Sequence, residues 1–237
     1  MATEQLVREL HVGRQWRRLN DGYGPRATMP RKRLTREEKR AVTREQVLEA
    51  AARTFPKHGY HAASVDEIAE EAGLSTGAVY SNFESKAELF LALYERYMDK
   101  HIEGLEQTVS SGATLQAQIA GAGGQWLESL RRDPDWLLLD IEFWAYAVRD
   151  RELRDRYAAI YRRLGETATK LIGQAAASFD LELSAAPEEL GTMINALATG
   201  LSVERLADPD RVSDEAFESA LALLAKGVVR QRGAPDA

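Results

Sequence analysis

Residues 64–90 constrain the fold of this chain more than any other stretch, because their start and turn signals suit only short helices. Ser64 and Glu67 have the spacing of a capping box, which predicts that a helix begins directly after Ser64. Apolar residues then recur at helical spacing up to Gly73, where the chain must turn through the left-handed region. Ser75 is placed to cap a second helix. Two short helices joined by a tight turn are therefore predicted.

The three tight positions of this helix pair carry a small residue, a glycine and a β-branched residue. These are Ala69, Gly73 and Val79, the pattern of a helix-turn-helix that reads DNA. The second helix has Ala78 where a capping box would place a carboxylate, so its backbone N–H groups and positive dipole end suit a phosphate. Its exposed positions are small or polar, which suits a major groove. An ordinary helical hairpin is the alternative.

Residues 43–94 resemble the DNA-binding domain of TetR-family transcriptional regulators, most specifically in the run GLSTGAVYSNFESK at residues 73–86. The resemblance implies a homodimeric, all-helical regulator, usually a repressor, which leaves its operator when a small molecule binds the C-terminal domain. It implies base contacts from four residues: Thr76, Gly77, Ala78 and Ser81. It also implies phosphate contacts from a second set: Thr43, Ser64, Tyr80, Asn82 and Lys86. The cap residue Ser75 completes the candidate DNA-binding residues of this region.

Pro56 departs from the family pattern at the end of the first helix. A proline lacks the backbone N–H and clashes with the carbonyl of Ala52, so the last turn is expected to bend or to end early. Thr43 and Gln46 have capping-box spacing and are predicted to open this helix.

The charge of the chain is segregated. Residues 1–44 carry 12 Lys and Arg against 5 Asp and Glu, whereas the remainder carries 19 against 32. A basic end beside the reading unit suits DNA, while the acidic remainder keeps other surfaces away from it. Arg31, Lys32 and Arg33 are candidate contacts to phosphates or to a minor groove from a flexible arm. A solvated, disordered tail is an equal alternative.

The predicted fold class is all-α, with an N-terminal three-helix helix-turn-helix domain joined to a C-terminal helical ligand-binding and dimerisation domain. The predicted regions are a basic flexible leader (1–42), the DNA-binding domain (43–90), the helical domain (91–231) and a disordered tail (232–237). Met29 is also a plausible start, in which case residues 1–28 are dispensable. From Thr114 onward every long segment has a helical period, and Leu181 to Ala186 is predicted to be a loop.

Composition excludes several classes of protein. The chain contains no cysteine, which removes disulfides and thiolate chemistry. No apolar run reaches the ~18 residues of a membrane span. The four histidines are scattered and no catalytic or metal-ligand spacing is visible, so we expect no enzyme activity, no cofactor and no metal. The expected location is the cytoplasm, without a membrane partner.

Aromatic residues concentrate between residues 126 and 161 and could line a pocket for a largely apolar ligand. The candidate ligand-binding residues are Trp126, Glu142, Phe143, Tyr146, Tyr161 and Met193. Glu142 is expected either to select a polar or cationic group of the ligand or to pair with Arg149 or Arg162 at the surface. Ordinary core packing is the alternative for any one of these residues.

The last two helical segments have wide apolar faces interleaved with small residues, which suits packing across a two-fold axis. The residues expected to face a second subunit are Leu197, Leu201, Leu221 and Leu224. The alternative is that these helices complete the core of one subunit. Together with the family resemblance, these features predict a homodimeric repressor that leaves a pseudo-palindromic double-stranded operator when a small-molecule effector binds. A regulator without ligand control and an all-helical enzyme are the alternatives.

Overall fold

The structure is a computed structural model that describes residues 35–231, with side chains up to Val229. Within this range the helices and strands are α1 (Arg36–Ala62), α2 (Val65–Ala72), α3 (Thr76–Tyr80), α4 (Lys86–Ser111), α5 (Leu115–Arg132), α6 (Pro134–Ala147), α7 (Arg151–Ser178), β1 (Leu181–Leu183), α8 (Pro187–Ala207), α9 (Asp214–Val228) and β2 (Val229–Gln231). The predicted all-α class is confirmed. Arg31, Lys32 and Arg33, most of the predicted leader and the predicted tail lie outside the described residues.

The chain divides into two compact units. Of the described residues, the first unit comprises those up to Thr54 together with Ala63–Leu89, and the second comprises Phe55–Ala62 and those from Phe90 onward. Helices α1 and α4 therefore each contribute residues to both units. The first unit contains the predicted helix-turn-helix, and the second contains the remaining helices.

Helix α1 begins earlier than predicted. The Thr35 N–H donates to the Glu38 carboxylate at 2.7 Å, and the Glu38 N–H donates to Thr35 Oγ1 at 3.1 Å. This capping box opens the helix at Arg36. The predicted start at Thr43 and the leader boundary at residue 42 are therefore wrong, because Thr43 lies two turns inside the helix.

The helix-turn-helix follows the sequence prediction closely. Ser64 and Glu67 form both hydrogen bonds of a capping box at the start of α2. Gly73 ends α2 in the left-handed region at φ 68°. The core beneath these helices is formed by buried apolar side chains of the first unit: Val47, Phe83, Ile68, Val79 and Leu89.

Helix α1 is interrupted near its end. Gly59 has φ 74° and ψ 166°, three residues after Pro56. The helix runs through Pro56, so the early end expected from the proline is not observed, and the interruption lies at the glycine, which adopts a positive φ at little cost.

In the second unit, the predicted helix starts at Pro134, Pro187 and after Ser213 are confirmed. The predicted loop at Leu181 is wrong, because Leu181–Leu183 pairs antiparallel with Val229–Gln231. A strand whose partner lies far along the chain leaves no local periodicity to recognise. None of the described helices is long and apolar enough to cross a membrane.

Candidate nucleic-acid interface and ligand cavity

Helix α3 presents the candidate base-reading residues. Ser75 caps it, since its hydroxyl oxygen accepts the Ala78 N–H at 3.2 Å, and its first turn holds no acidic residue. Gly77 and Ser81 are exposed. Thr76 is half-buried and donates its hydroxyl to Asp66 Oδ1 at 2.6 Å, which fixes the start of α3 on α2. The accessible side chains at the start of α3 are therefore small and uncharged, as close approach to base edges requires.

Two of the predicted phosphate contacts conflict with the structure. The Asn82 side chain is only 7% exposed, and its Nδ2 donates to the Ala78 carbonyl at 2.9 Å. Asn82 therefore closes the end of α3 instead of facing a ligand. Thr43 lies inside α1, where its N–H is part of the helix, so it offers no helix-start donor. Tyr80, by contrast, is 52% exposed at the end of α3.

Sequence reasoning missed two arginines that position α3. Arg44 Nη1 donates to the Asn82 carbonyl at 3.0 Å, and its guanidinium lies 4.1 Å from the centroid of the Phe83 ring. Arg40 Nη2 donates to the Ser81 carbonyl at 3.4 Å. Both cations lie at the C-terminal end of α3, where they complement the negative end of the helix dipole. The sequence signal for this role was their spacing, which places the two arginines one turn apart on the same face of α1.

Lys86 lies at the start of α4 and donates its ammonium to the Ala63 carbonyl at 3.0 Å. Burial lowers its pKa below the usual range. Ala63 directly precedes the cap residue Ser64, so Lys86 and Ser64 come together at the start of α2. Their contacts with phosphate stay predictions.

The second unit contains a cavity of about 170 Å³. Its lining is almost entirely apolar. The lining residues come from α4, α5, α7, α8 and α9 and from both strands, β1 and β2. Among the described residues, the lining includes two amide side chains, Gln118 and Asn195, and no charged one. Such a cavity suits an apolar molecule.

Of the six predicted ligand-binding residues, only Trp126 belongs to this lining. Its indole N–H donates to Ser202 Oγ at 2.9 Å. The Tyr161 hydroxyl lies 3.5 Å from Thr199 Oγ1, and neither residue belongs to the cavity lining. Met193 is 48% exposed on the outer face of α8. The predicted placement of Tyr161 and Met193 in the pocket is therefore wrong.

Phe143 and Tyr146 belong to a separate aromatic cluster on α1, α4 and α6. The Phe143 ring lies 4.2 Å from that of Phe90 and 4.9 Å from that of Tyr60, between centroids. Tyr146 lies 5.2 Å from the same Tyr60 ring. Their predicted role in the pocket is wrong because aromatic side chains can bury more surface against one another than around a void.

Glu142 accepts the backbone N–H of Tyr60 at 2.7 Å, so neither of its predicted roles is observed. The carboxylate thus pairs with the backbone donor that directly follows the interruption at Gly59. A Cβ on Gly59 would lie 2.7 Å from Glu142 Oε2. The glycine thus allows both the backbone conformation and the close approach of the carboxylate.

Asp140 forms a polar chain inside the aromatic region. The Tyr157 hydroxyl donates to Asp140 Oδ1 at 2.9 Å, and the Tyr94 hydroxyl donates to the Tyr157 oxygen at 3.3 Å. Burial raises the pKa of Asp140 to about 6, although the tyrosine hydrogen bonds oppose this shift. No group of three or more potential metal ligands occurs in the described part of the chain.

The predicted dimer residues lie on the inner faces of α8 and α9. Leu221 is 8% exposed in a core with Leu127, Ala198 and Phe217, and Leu224 lines the cavity. Leu197 and Leu201 pack against the same core. Leu221 is therefore a core residue of one subunit, as the alternative has it, whereas the assignment of the partly buried Leu197, Leu201 and Leu224 to a subunit interface stays a prediction. The large apolar residues exposed on these two helices are Met193, Val203, Leu206 and Leu223.

Comparison with known proteins gives matches in both units. Residues 47–93 match the model for bacterial regulatory proteins of the tetR family, and residues 116–230 match the C-terminal region of BetI-type transcriptional repressors. The transcriptional activator FasR of Mycolicibacterium smegmatis is 36% identical over 101 residues, which are 43% of this chain and 44% of FasR. The chain thus spans less than half of FasR.

A second relative is similar over more of its length. The transcriptional repressor AcnR of Corynebacterium efficiens is 28% identical over 184 residues, covering 72% of this chain and 90% of AcnR. Among solved structures, the regulator FadR from Bacillus subtilis in complex with stearoyl-CoA superposes with a TM-score of 0.65 at 21% identity. That match covers 77% of this chain and 98% of FadR, and at this identity it shows a shared fold.

Proposed function

Because this chain belongs to the tetR family and is a DNA-binding transcriptional regulator, we propose that it is a homodimeric repressor released from its operator by a small, largely apolar molecule. The observation that carries this proposal is the apolar cavity of about 170 Å³ in the same chain as a helix-turn-helix. A regulator without ligand control would have no use for such a void, which costs stability. A regulator of this kind acts on the bacterial chromosome, in the cytoplasm, and not as an enzyme.

Operator recognition is assigned to α3. Gly77 and Ser81 are exposed and Thr76 and Ala78 are partly accessible, so this surface can approach base edges, while Tyr80 and Lys86 are the proposed phosphate contacts. Arg40 and Arg44 hold the carbonyls at the end of α3, which keeps the reading surface in a fixed orientation. Arg31, Lys32 and Arg33 would add phosphate contacts from the N-terminal side.

The size of the cavity limits the part of an effector that it can enclose. A cavity of about 150 Å³ holds a benzene molecule. The buried part of the ligand is therefore a ring or a short chain of about six to ten carbons, unless the helices move apart. The FadR structure contains stearoyl-CoA, and one segment of an acyl chain has the apolar character that this lining favours.

Release is proposed to follow from a shift between conformations. Leu105 and Val109 of α4 line the cavity, and the same helix begins with Lys86 in the first unit. A ligand that favours a different position of α4 thus acts on the helix that carries a DNA contact. The ligand binds the DNA-incompetent conformation more tightly and shifts the population toward it.

The dimer is proposed to form through the outer faces of α8 and α9. These faces expose Met193, Val203, Leu206 and Leu223, between 41% and 67% accessible in the single chain. A second copy related by a two-fold axis would cover the same residues on both subunits. It would also give two α3 helices, as a pseudo-palindromic operator requires.

The test of operator binding is selection of bound sequences from a library of random double-stranded DNA, with the purified full-length chain. We expect enrichment of an inverted repeat whose half-sites are one or more helical turns apart. Ser81→Ala should alter the enriched bases, whereas Lys86→Ala should weaken binding on every sequence and lower its salt dependence. Enrichment of no sequence at all would overturn the proposal.

The test of ligand control uses the selected operator. Small apolar compounds such as ethylbenzene and acetophenone are titrated into the protein–DNA complex, and we expect release of the DNA. If they bind the protein and leave the complex intact, the chain is a DNA-binding regulator without this form of control.

A further inference from the structure

Asn195 is a polar side chain in an apolar cavity. It lies on α8, is 9% exposed and belongs to the cavity lining. It forms no hydrogen bond with any group in the described part of the chain, whereas Gln118, the other amide of the lining, donates to the Gly112 carbonyl at 3.1 Å. Among the described residues, the enclosed side-chain polar atom without a partner is Asn82 Oδ1, so the amide of Asn195 is not sealed off from a guest molecule.

The groups around Asn195 do not occupy its amide. On α7, Gly165 has no side chain to offer it, and a Cβ at that position would lie 4.0 Å from Asn195 Nδ2. The neighbouring polar side chains are already engaged: Ser202 donates to the Ala198 carbonyl at 2.7 Å, and Thr199 lies 3.5 Å from the Tyr161 hydroxyl. The Asn195 amide is therefore the polar group of the lining that is available to a guest molecule.

The charge of the lining restricts that guest further. No charged side chain of the described residues lines the cavity. A carboxylate or an ammonium group would enter without a counter-ion, at a cost of several kcal/mol. An asparagine amide, by contrast, offers a donor and an acceptor to a neutral carbonyl or hydroxyl group.

We propose that Asn195 is the specificity-determining residue of the cavity, and that the effector is an uncharged molecule with an apolar body and one carbonyl or hydroxyl group that hydrogen-bonds to the Asn195 amide. This inference rests on the proposed ligand control and names the chemical class of the effector. The apolar lining supplies affinity for the body of the molecule, and Asn195 selects the molecules that carry a polar group at one position.

The experiment compares two probes of nearly equal shape, acetophenone and ethylbenzene, which differ in a carbonyl. Their affinities for the full-length protein are measured by calorimetry, with benzoate as the charged analogue. The ratio of acetophenone affinity to ethylbenzene affinity is expected to fall roughly 3–10-fold in Asn195→Leu, the value of one hydrogen bond. Leucine has the same branching as asparagine, so the shape of the cavity is kept. Benzoate is expected to bind at least about tenfold more weakly than acetophenone.

Gln118→Met is the matched control, because it removes an amide that already has a partner. Its affinity ratio should stay close to that of the unchanged protein. Asn195→Leu is expected to fold, since leucine matches the apolar lining; should it fail to fold, Asn195→Ala supplies the same ratio.

An affinity ratio that Asn195→Leu leaves unchanged, while both probes bind, would overturn the role of Asn195 and leave the proposed ligand control standing. An equal loss in Gln118→Met would also overturn it. Binding of neither neutral probe to the unchanged protein would refute both the inference and ligand control through this cavity.

Discussion

Asp140 places a carboxyl group among aromatic side chains, and this makes the stability of the second unit depend on pH. Burial raises the pKa of Asp140 from 3.8 to about 6. Below pH 3.8 the group is protonated in both the folded and the unfolded chain and has no effect. As the pH rises to 6, the unfolded chain releases this proton first, so stability falls and the loss remains at higher pH.

We therefore expect Asp140→Asn to stabilise the protein, and to do so more at pH 8 than at pH 5, by about 1 kcal/mol. The asparagine side-chain oxygen still accepts the Tyr157 hydroxyl, so the polar chain is kept. Urea denaturation at the two pH values measures the difference. Burial lowers the pKa of His101 to about 4, so this residue destabilises the folded protein as the pH falls. That effect is the same in the unchanged protein and in Asp140→Asn, so it cancels from the comparison. An equal gain at both pH values would show that the carboxyl is well solvated.

The residues that sequence reasoning placed correctly are those with local signals. Ser64 and Ser75 are caps because the group they accept from lies three residues ahead. Asn82 and Glu142 could not be placed in this way. The Asn82 amide donates to the Ala78 carbonyl of the helix that precedes it, and the Glu142 carboxylate accepts the N–H of Tyr60, which lies far away in the chain.

At the scale of elements, replacement of the two glycines that have a positive φ is expected to destabilise the protein to different extents. Gly73 at the end of α2 has open space where a Cβ would be. Gly59 has φ 74° and ψ 166°, a region almost restricted to glycine, and its Cβ would meet the Glu142 carboxylate. The turn after α2 needs only the backbone freedom of glycine, whereas the interruption in α1 also needs its lack of a side chain.

We expect Gly73→Ala to lower the free energy of unfolding by about 1 kcal/mol, the cost of the left-handed conformation. Gly59→Ala should lower it by about 3 kcal/mol, because strain and the displacement of Glu142 add together. Thermal and urea denaturation of the two variants provide the comparison, with Gly73→Ala as the reference for a glycine in the left-handed region with open space around it. Equal losses would mean that neither the backbone conformation of Gly59 nor the displacement of the Glu142 carboxylate adds a cost.

Element boundaries were predictable where a cap or a proline marks them and were missed elsewhere. Pro134, Pro187 and Ser213 begin helices where the sequence placed them. The true start of α1 also had a local signal, in Thr35 and Glu38, but Thr43 and Gln46 have the same capping-box spacing and predicted a later start. The pairing of β1 with β2 had no local sequence signal, although Leu181, Leu183 and Val229 of these strands line the cavity.

At the scale of the whole molecule, family resemblance gave the fold, but periodicity did not give the subunit interface. Helices α8 and α9 carry apolar residues on two faces. One face, with Leu197 and Leu221, packs into the core of the same chain, and the other, with Val203 and Leu223, is exposed. When a helix has two apolar faces, its sequence does not indicate which face is buried within its own subunit. The burial of each residue in the folded chain distinguishes the two faces.

The proposed interface makes a sharp prediction for α9. Leu223 is 67% exposed, so Leu223→Glu should leave the single chain folded. In a dimer, two-fold symmetry would bury two such carboxylates without partners, at a cost of several kcal/mol. Sedimentation velocity should then show a folded monomer, and this monomer should have lost specific operator binding far more than nonspecific binding.

Leu221→Glu is the control. Because it places a charge in the core of one subunit, it should unfold the second unit. A Leu223→Glu protein that still sediments as a dimer would move the interface away from this face of α9, and a folded, monomeric Leu221→Glu protein would restore the interface to the inner face.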